Sequence, residues 1–338
     1  MKKTVSYILF FGLTLVLLWL SFRGIKWKDF QEGLRIANYY WIVLSMLFGA
    51  YSSWIRGVRW RLLIQGAGYR VGKGGAFDAV NIAYLANFAL PRAGEVARCG
   101  TLVQTSGIPF DTLLGTVVLE RLFDVLCLMV ITVLIFVCQW NVFGAFMEQQ
   151  LWTPFVEAFE GKIIYLILIF LVCSVVVTLI VVYKKRLSKY FVFKKLYDLA
   201  AGIIAGVKSS ITLQRKASFL LYTLILWVSY WAMSWCTVLS FPQAAHLSAL
   251  DAMFLMVVGS LGWIVPVQGG IGAYHFIVSL ALISVYGMSQ THSIVFATIS
   301  HESQTLLMIT FGVFSLIRVG FQKKRKAVTS LTQALPSR

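Results

Sequence analysis

The sequence predicts an all-α, polytopic integral membrane protein with about 6–8 transmembrane helices, and three observations support this class. Of the 338 residues, 59% are hydrophobic and only 13% are charged; a soluble domain has about 25% charged residues. The apolar residues form unbroken runs of about 17 to 27 residues, long enough for a helix to cross a bilayer. The basic residues, which give a net charge of +17, crowd the ends of these runs, as they do in cytoplasmic loops. A water-soluble enzyme and a nucleic-acid-binding protein are therefore excluded.

The N-terminal membrane half, residues 1–183, begins with two apolar segments. Thr4–Phe22 resembles a signal peptide but has no small-residue cleavage site, so we interpret it as a retained helix. A second apolar run spans 39–54, and the mixed segment Ile25–Ala37 before it suits a helix lying in the membrane interface. The basic residues after this second run are interpreted as a cytoplasmic connection: Arg56, Arg59, Arg61, Arg70 and Lys73.

Residues 76–106 form the first interrupted segment. They begin and end on the basic side, yet the apolar stretch is too short for two full crossings and contains Pro91. We therefore expect a re-entrant helical hairpin, with Gly94 permitting the tight return. A long helix at 112–138 then crosses outward, and a helix at 163–183 returns.

The remainder of the chain alternates basic and apolar segments. Residues 184–216 are expected to be a basic cytoplasmic loop with an amphipathic interfacial helix. The C-terminal membrane half, 217–318, contains a helix at 219–241 and a last helix at 293–316. A basic cytoplasmic tail, 319–338, follows, so both termini are expected to be cytoplasmic in a bacterial-type inner membrane.

A second broken segment, 249–287, lies in the C-terminal half. Its break contains Pro266, Gly269, Gly270 and Gly272, and it forms either two short crossings or a second re-entrant hairpin. Each half thus has one interrupted segment, which suggests an inverted repeat. Paired interrupted segments indicate a substrate site near the membrane midplane. The alternative is a pair of kinked helices that pack through glycine.

Polar side chains occur around both breaks, where lipid would otherwise be expected. Arginine presents a fork of donors that matches a phosphate or a carboxylate, and a helix that starts near Pro91 adds backbone donors. The candidate substrate-binding residues are Asn87, Arg92, Glu95, Arg98 and Gln268.

A second group of polar residues lies in the long helix and the last helix, and we interpret it as intramembrane or gating. An unpaired charge at membrane depth costs about 2.5–3.5 kcal/mol on insertion scales, so these groups must pair or line a wet cavity. For the charged residues of the long helix, an ion-pair network that only fixes the register of the helices is as good an explanation as a gating role. The group consists of Glu120, Arg121, Asp124, His301 and Glu302.

No metal site or cofactor is expected. The 4 histidines show no His-x-x-x-His or Glu-x-x-His spacing, and the 5 cysteines show no Cys-x-x-Cys pair. No Walker loop or dinucleotide-binding glycine motif is present. His275 and His301 could move protons, although a lone histidine is more often a packing residue.

Three ordered motifs resemble those of the lysylphosphatidylglycerol synthase transmembrane-domain family, often called flippase-like. They are Leu90–Arg98, Glu120–Asp124, and Pro266 followed by Gly269–Gly272. The similarity covers nearly the whole chain, as for a stand-alone member without the soluble aminoacyl-transferase domain. The resemblance implies movement of aminoacylated phosphatidylglycerol or a related lipid between leaflets. Where family members often have Pro-Gly-Gly and a following glutamate, this chain has Gln268 and His275.

The sequence therefore predicts a translocase for an anionic or aminoacylated phospholipid or a polyisoprenoid-phosphate lipid, and not an enzyme. Its expected partner is membrane lipid. One alternative is a membrane-embedded glycosyl- or phosphotransferase acting on a polyprenyl-phosphate, although no loop carries the acidic pair that such an enzyme needs. A second is a non-transporting scaffold that holds a lipid-synthesis enzyme through the basic loop. A solute or ion transporter is also compatible with the sequence.

Overall fold

The computed structural model describes residues 2–140, 152–159 and 215–334, together with the single residues 144, 148 and 171. Within these residues all regular structure is helical, which confirms the all-α class. Of the predicted return helix at 163–183 only residue 171 is described, and the predicted interfacial helix of the basic loop lies outside the described residues.

The first two helices form a sharply bent pair. Helix α1 (Lys2–Phe22) is followed by α2 (Trp27–Ile36), and their axes are bent by 83°. Helix α2 covers the segment that was predicted to lie in the interface. It buries Phe30 and Gly33 while its charged side chains stay outside, and Gly33 packs directly against Val295.

Helix α3 (Tyr39–Gly66) continues well past Trp54, where the sequence interpretation ended this apolar run. Arg56, Arg59 and Arg61 lie inside the helix, and Arg56 and Arg59 are buried, so their assignment to a connection between helices was wrong. The physical reason is that carboxylates on another helix neutralise the two buried arginines. The composition of one segment does not reveal that partner. The side of the membrane on which these arginines lie stays a prediction.

The first interrupted segment is a helical hairpin. Helices α4 (Lys73–Ala89) and α5 (Gly94–Ser106) pack against each other, and both are shorter than the roughly 20 residues of a full crossing. Leu90 is extended because a proline follows it. The return requires Gly94, since a Cβ there would lie 2.5 Å from the carbonyl oxygen of Ala83.

The second interrupted segment also breaks between two short helices. Helix α9 (Ala249–Ile264) ends before Pro266, and a single 3₁₀ turn, Gln268–Gly270, precedes α10 (Ala273–Tyr286). The three glycines of the break have φ of 56°, 79° and 83°, a region that glycine adopts without strain. Helices α9 and α10 pack closely at Gly262, where a Cβ would lie 2.7 Å from the Cα of Tyr274.

The other described α-helices are the predicted long helix, a short helix after it, one helix before α9 and a long last helix: α6 (Phe110–Cys138), α7 (Thr153–Phe159), α8 (Lys216–Leu239) and α11 (Gln290–Ala334). Helix α11 continues through residues 319–334 without a break.

Four described helices are long and apolar enough to cross a membrane, or five if the bent pair α1–α2 counts as one span. These helices support a multi-pass membrane protein. The predicted number of six to eight crossings is not confirmed by them and stays a prediction.

Apolar packing of the described residues forms two cores, one beside each interrupted segment. The first joins α3, α4, α5 and α6 around Trp60 and Leu102. The second joins α8, α9, α10 and α11 around Phe254, Leu282 and Phe296. Each interrupted segment is therefore held by its own core, and the polar cavity between them is lined by side chains from the helices of both.

Close packing of α11 on α4 predicts a position-specific effect of alanine. At Gly312 a Cβ would lie 2.6 Å from Leu85 Cβ and 3.0 Å from the backbone oxygen of Asn81. Gly312→Ala is expected to destabilise the fold by about 1–3 kcal/mol, although alanine is the better helix former. Gly320→Ala on the same helix has no atom within 4 Å and is expected to be neutral or slightly stabilising. Thermal unfolding in detergent measures both; equal midpoints would contradict the close contact.

Candidate functional site

A cavity of about 670 Å³ lies between the two interrupted segments and is here called the central cavity. Asn87 and Arg92 line it from the first break, and Gly269 and Gly270 line it from the second. Hydroxyl groups from α3, α8 and α9 add to its polar surface: Ser45, Ser52, Ser53, Ser234, Thr237 and Ser260. The structure therefore brings both predicted breaks to one polar space.

The side chain of Arg92 connects the two breaks. Its Nη2 donates to the carbonyl oxygen of Ile264 at 2.9 Å, at the C-terminal end of α9. A helix leaves its last carbonyl groups without partners inside the helix, so this bond satisfies one of them. Arg92 is otherwise exposed, and no carboxylate of the described residues forms an ion pair with it.

The backbone of Arg92 is strained. Its φ is 62°, and among the described residues it is the one non-glycine residue with a positive φ. Such a conformation costs on the order of 1–3 kcal/mol and persists where the surroundings enforce it, often at ligand sites. The neighbouring bond from Gly94 N–H to Asn87 Oδ1, 2.8 Å long, closes the hairpin around it. Asn87 thus acts within the turn as well as lining the cavity.

Behind the cavity wall, Glu120 of α6 is completely buried and meets three arginines. Its Oε1 accepts from Arg56 Nε at 3.2 Å and from Arg59 Nη2 at 3.1 Å, both on α3. Its Oε2 accepts from Arg98 Nη2 at 3.0 Å, on α5. One carboxylate therefore ties three helices together.

Two further carboxylates extend this network. Asp124, one turn after Glu120 on α6, pairs with Arg56 at 3.1 Å and with Arg59 at 2.7 Å. Glu95 pairs with Arg98 at 3.0 Å and with Arg121. Four arginines and three carboxylates leave a formal charge of +1. This arginine cluster consists of Arg56, Arg59, Arg98, Arg121, Glu95, Glu120 and Asp124.

Only part of the arginine cluster faces the central cavity. Arg59, Arg98 and Glu120 do not line it, and Arg98 is 1% exposed with its guanidinium 4.4 Å from the Trp60 ring centroid. These three fix the register of α3, α5 and α6. The members that line the cavity are Arg56, Glu95, Arg121 and Asp124.

Of the predicted polar site residues near the second break, one lines the central cavity and two do not. Gln268 accepts a hydrogen bond from Thr14 of α1 at 2.7 Å and does not line the central cavity. His301 lines it and donates through Nε2 to the Gly269 carbonyl oxygen at 2.9 Å. Glu302 contacts His301 but does not line the cavity.

Several residues of the site escaped the sequence interpretation. Arg56 donates to the hydroxyls of Tyr84 and Tyr230, at 3.3 and 3.2 Å, and all three line the cavity. Arg56 and Arg59 are three residues apart, so their helical spacing after an apolar run was the available signal. The sequence offered no comparable signal for the two tyrosines, because an isolated tyrosine in an apolar helix is common.

A further buried pair joins α4 to α11. Asp78 is completely buried and accepts from Arg318 Nε at 2.8 Å, while Arg318 Nη2 donates to the Gly74 carbonyl oxygen at 2.9 Å. The sequence interpretation used Arg318 only as a marker of the cytoplasmic end. It also holds the first hairpin against the last helix.

The arginine cluster predicts a large effect from the loss of one carboxylate. Glu120→Gln leaves three buried guanidinium groups short of one negative charge, and is expected to destabilise the fold by about 3–5 kcal/mol. Arg121→Gln is the control, since Arg121 is 44% exposed and its pairs are worth roughly 1 kcal/mol or less. Thermal unfolding of the purified proteins in detergent measures the difference. Parental stability of Glu120→Gln would contradict the central role of this carboxylate.

Comparison with known proteins identifies the family. The sequence model described as "Lysylphosphatidylglycerol synthase TM region" matches residues 6–312, which include both interrupted segments and the whole arginine cluster. No curated protein and no solved structure matches the chain. The match confirms the resemblance seen in the motifs, and the chain belongs to the lysylphosphatidylglycerol synthase transmembrane-region family.

Proposed function

We propose that the protein is a lipid translocase. The headgroup of an anionic or aminoacylated phospholipid, or of a polyisoprenoid-phosphate lipid, would pass through the central cavity while its tails stay in the bilayer. Membership of the family supports a membrane protein linked to lipid metabolism. The observation that carries the proposal beyond this is Arg92, a cavity-lining arginine with no carboxylate partner among the described residues.

Arg92 has donors to offer a phosphate. A guanidinium presents several N–H donors in a fixed fork, and within the described part of the chain Nη2 is the one Arg92 nitrogen that forms a hydrogen bond. Its current acceptor, the Ile264 carbonyl oxygen, is neutral. A phosphate oxygen is the stronger acceptor, because hydrogen bonds between two charged groups are shorter and stronger than those to a neutral group.

The charge of the cavity favours an anionic headgroup with room for an amino group. Among the described residues, three arginines and two carboxylates line it, and these side chains together have a formal charge of +1. Glu95, which is partly exposed at the cavity, supplies an acceptor for the ammonium of an aminoacyl ester. The volume of about 670 Å³ falls in the range of small-molecule sites, which suits a headgroup without its tails.

The bond from Arg92 to Ile264 suggests how the headgroup would open a path. It links the two interrupted segments directly, so a phosphate that takes over the guanidinium removes this link. Arg121, Glu95 and Asp124 lie at the cavity and can exchange partners as the segments separate. We assign these three a gating role and leave the buried Arg98 out of the headgroup site.

The proposal includes a location and partners. We place the protein in a bacterial-type inner membrane with both termini in the cytoplasm, where its substrate is a lipid of that membrane. The basic segment 184–216 is a suitable attachment point for an enzyme of lipid synthesis, because it carries a high density of positive charge.

A flipping assay tests the role of Arg92. The purified protein is reconstituted into phosphatidylcholine vesicles that contain fluorescent phosphatidylglycerol, and dithionite reports the fraction of label in the outer leaflet. The wild type is expected to make inner-leaflet label accessible. Arg92→Ala is expected to lose at least about 90% of this activity, and Arg92→Lys is expected to retain only part, because lysine has the charge without the fork.

Arg70→Ala is the matched control, since Arg70 is an exposed arginine between α3 and α4 that does not line the cavity. It is expected to flip lipid as the wild type does. Wild-type flipping by Arg92→Ala would refute the assignment. Release of product from a radiolabelled sugar donor, without flipping, would favour the transferase instead.

A further inference from the structure

Three potential metal ligands meet between α10 and α11, on the far side of His301 from the second break. They are His275 of α10 and the adjacent residues His301 and Glu302 of α11, and one ligand atom from each lies within 4.8 Å of the others. Both imidazoles are buried, with exposures of 2% and 1%. Of the three residues His301 also lines the central cavity, but the headgroup contacts and the gating role proposed above use none of them.

The hydrogen bonds of His301 fix which of its nitrogens is a lone-pair donor. A backbone carbonyl can only accept, so the bond to the Gly269 oxygen places a hydrogen on Nε2. In the neutral ring Nδ1 then carries the lone pair. That Nδ1 lies 3.0 Å from Oε1 of Glu302. With a neutral ring and an ionised carboxylate, two lone pairs face each other at this distance, and either a proton or a metal ion between them relieves the repulsion.

This arrangement of His301 is the one that metal ligands show. A histidine that binds a metal usually donates its other ring N–H to a carbonyl or a carboxylate, which fixes the ring and its tautomer. Here the Gly269 carbonyl takes that place. Thr305 Oγ1 lies 3.3 Å from Nδ1 and donates a weak hydrogen bond to it, which a bound metal ion would replace.

His275 supplies the third ligand. The nitrogen closer to Glu302 is Nε2, which lies 3.6 Å from Oε1, beyond ordinary hydrogen-bond length, and is the proposed ligand atom. The other ring nitrogen, Nδ1, is buried without a hydrogen-bond partner in the described structure. Two ligands that bind one tetrahedral ion at about 2.0–2.1 Å lie about 3.3 Å apart, so the spacing from Nε2 to Oε1 needs only a small movement of side chains.

We propose that His275, His301 and Glu302 bind one divalent transition-metal ion, with Zn²⁺ as the best match. Two imidazoles and one carboxylate are a ligand set that Zn²⁺ accepts, whereas Mg²⁺ and Ca²⁺ select oxygen ligands. Glu302 is 44% exposed and provides the entry path. The ion joins α10 to α11 and, through His301, holds the carbonyl of Gly269 in the second break.

The expectation of no metal site rested on the absence of a ligand spacing within one helix. In the fold the proposed ligands come from two helices, so no motif within one segment of the sequence indicates them.

Metal titration of the full-length protein tests the proposal independently of transport. The protein is purified in detergent through a tag without histidine, treated with a chelator and titrated with Zn²⁺ by calorimetry. Binding of about one Zn²⁺ per chain and a rise in the thermal midpoint are expected. Co²⁺ in place of Zn²⁺ is expected to give the visible absorption of a low-symmetry site with nitrogen and oxygen ligands.

Variants identify the ligands. His275→Ala and Glu302→Gln are each expected to weaken Zn²⁺ binding by at least about tenfold. His246→Ala and His292→Ala remove the two histidines outside the group and are expected to bind as the wild type does. Glutamine has the shape of glutamate and Glu302 is partly exposed, so Glu302→Gln is expected to fold. Elution of this variant as a single species in size-exclusion chromatography checks that it does.

Two results would overturn the proposal. One is a wild-type protein that binds no Zn²⁺ at about one per chain, in which case the three groups share a proton instead. The other is equal binding by Glu302→Gln, His275→Ala and the two control variants, which would place the ion elsewhere.

Discussion

The buried carboxylate of Glu120 is the constraint on which the N-terminal half of the site depends. Three guanidinium groups from α3 and α5 converge on it, at 3.0 to 3.2 Å. Positive charges cannot be buried together unless negative charges lie among them, because each loses its hydration. The positions of α3, α5 and α6 are therefore set by charge pairing at this point as well as by the apolar contacts around Trp60.

The same pairing divides the polar residues into two roles. Arg59, Arg98 and Glu120 saturate one another behind the wall, while Arg56, Arg121, Glu95 and Asp124 extend the network to the cavity surface. Arg92 stands outside this network and is held at a strained φ of 62°. A rigid ion-pair wall next to one arginine without a carboxylate partner is a suitable arrangement for an anionic group that must bind and leave. In the proposed mechanism the buried part of this wall keeps its shape, while Arg92 and the ion pairs at the cavity surface change partners.

Both interrupted segments form for local reasons that a sequence shows. Pro91 and Pro266 force the residues before them to be extended. Gly94 leaves room for the close return of the first segment, and the glycines of the second break adopt positive φ without strain. The helix over Phe110–Cys138 was likewise readable from its apolar length. The end of α3 was not, because Arg56 and Arg59 are tolerated only through Glu120 and Asp124, which come more than sixty residues later in the chain.

The sequence by itself determined the helical membrane class, the two breaks and the types of side chain near them. Hydropathy, proline and glycine act over a few residues, so their structural effects can be predicted from a short stretch of sequence. Only the tertiary structure decided which charges are paired and which face the cavity. It separated Arg92 from Arg98, turned Gln268 towards α1, and brought His275 to His301 and Glu302. The physical reason is that a buried charge or ligand acquires its role from partners on other helices, and helix packing alone selects those partners.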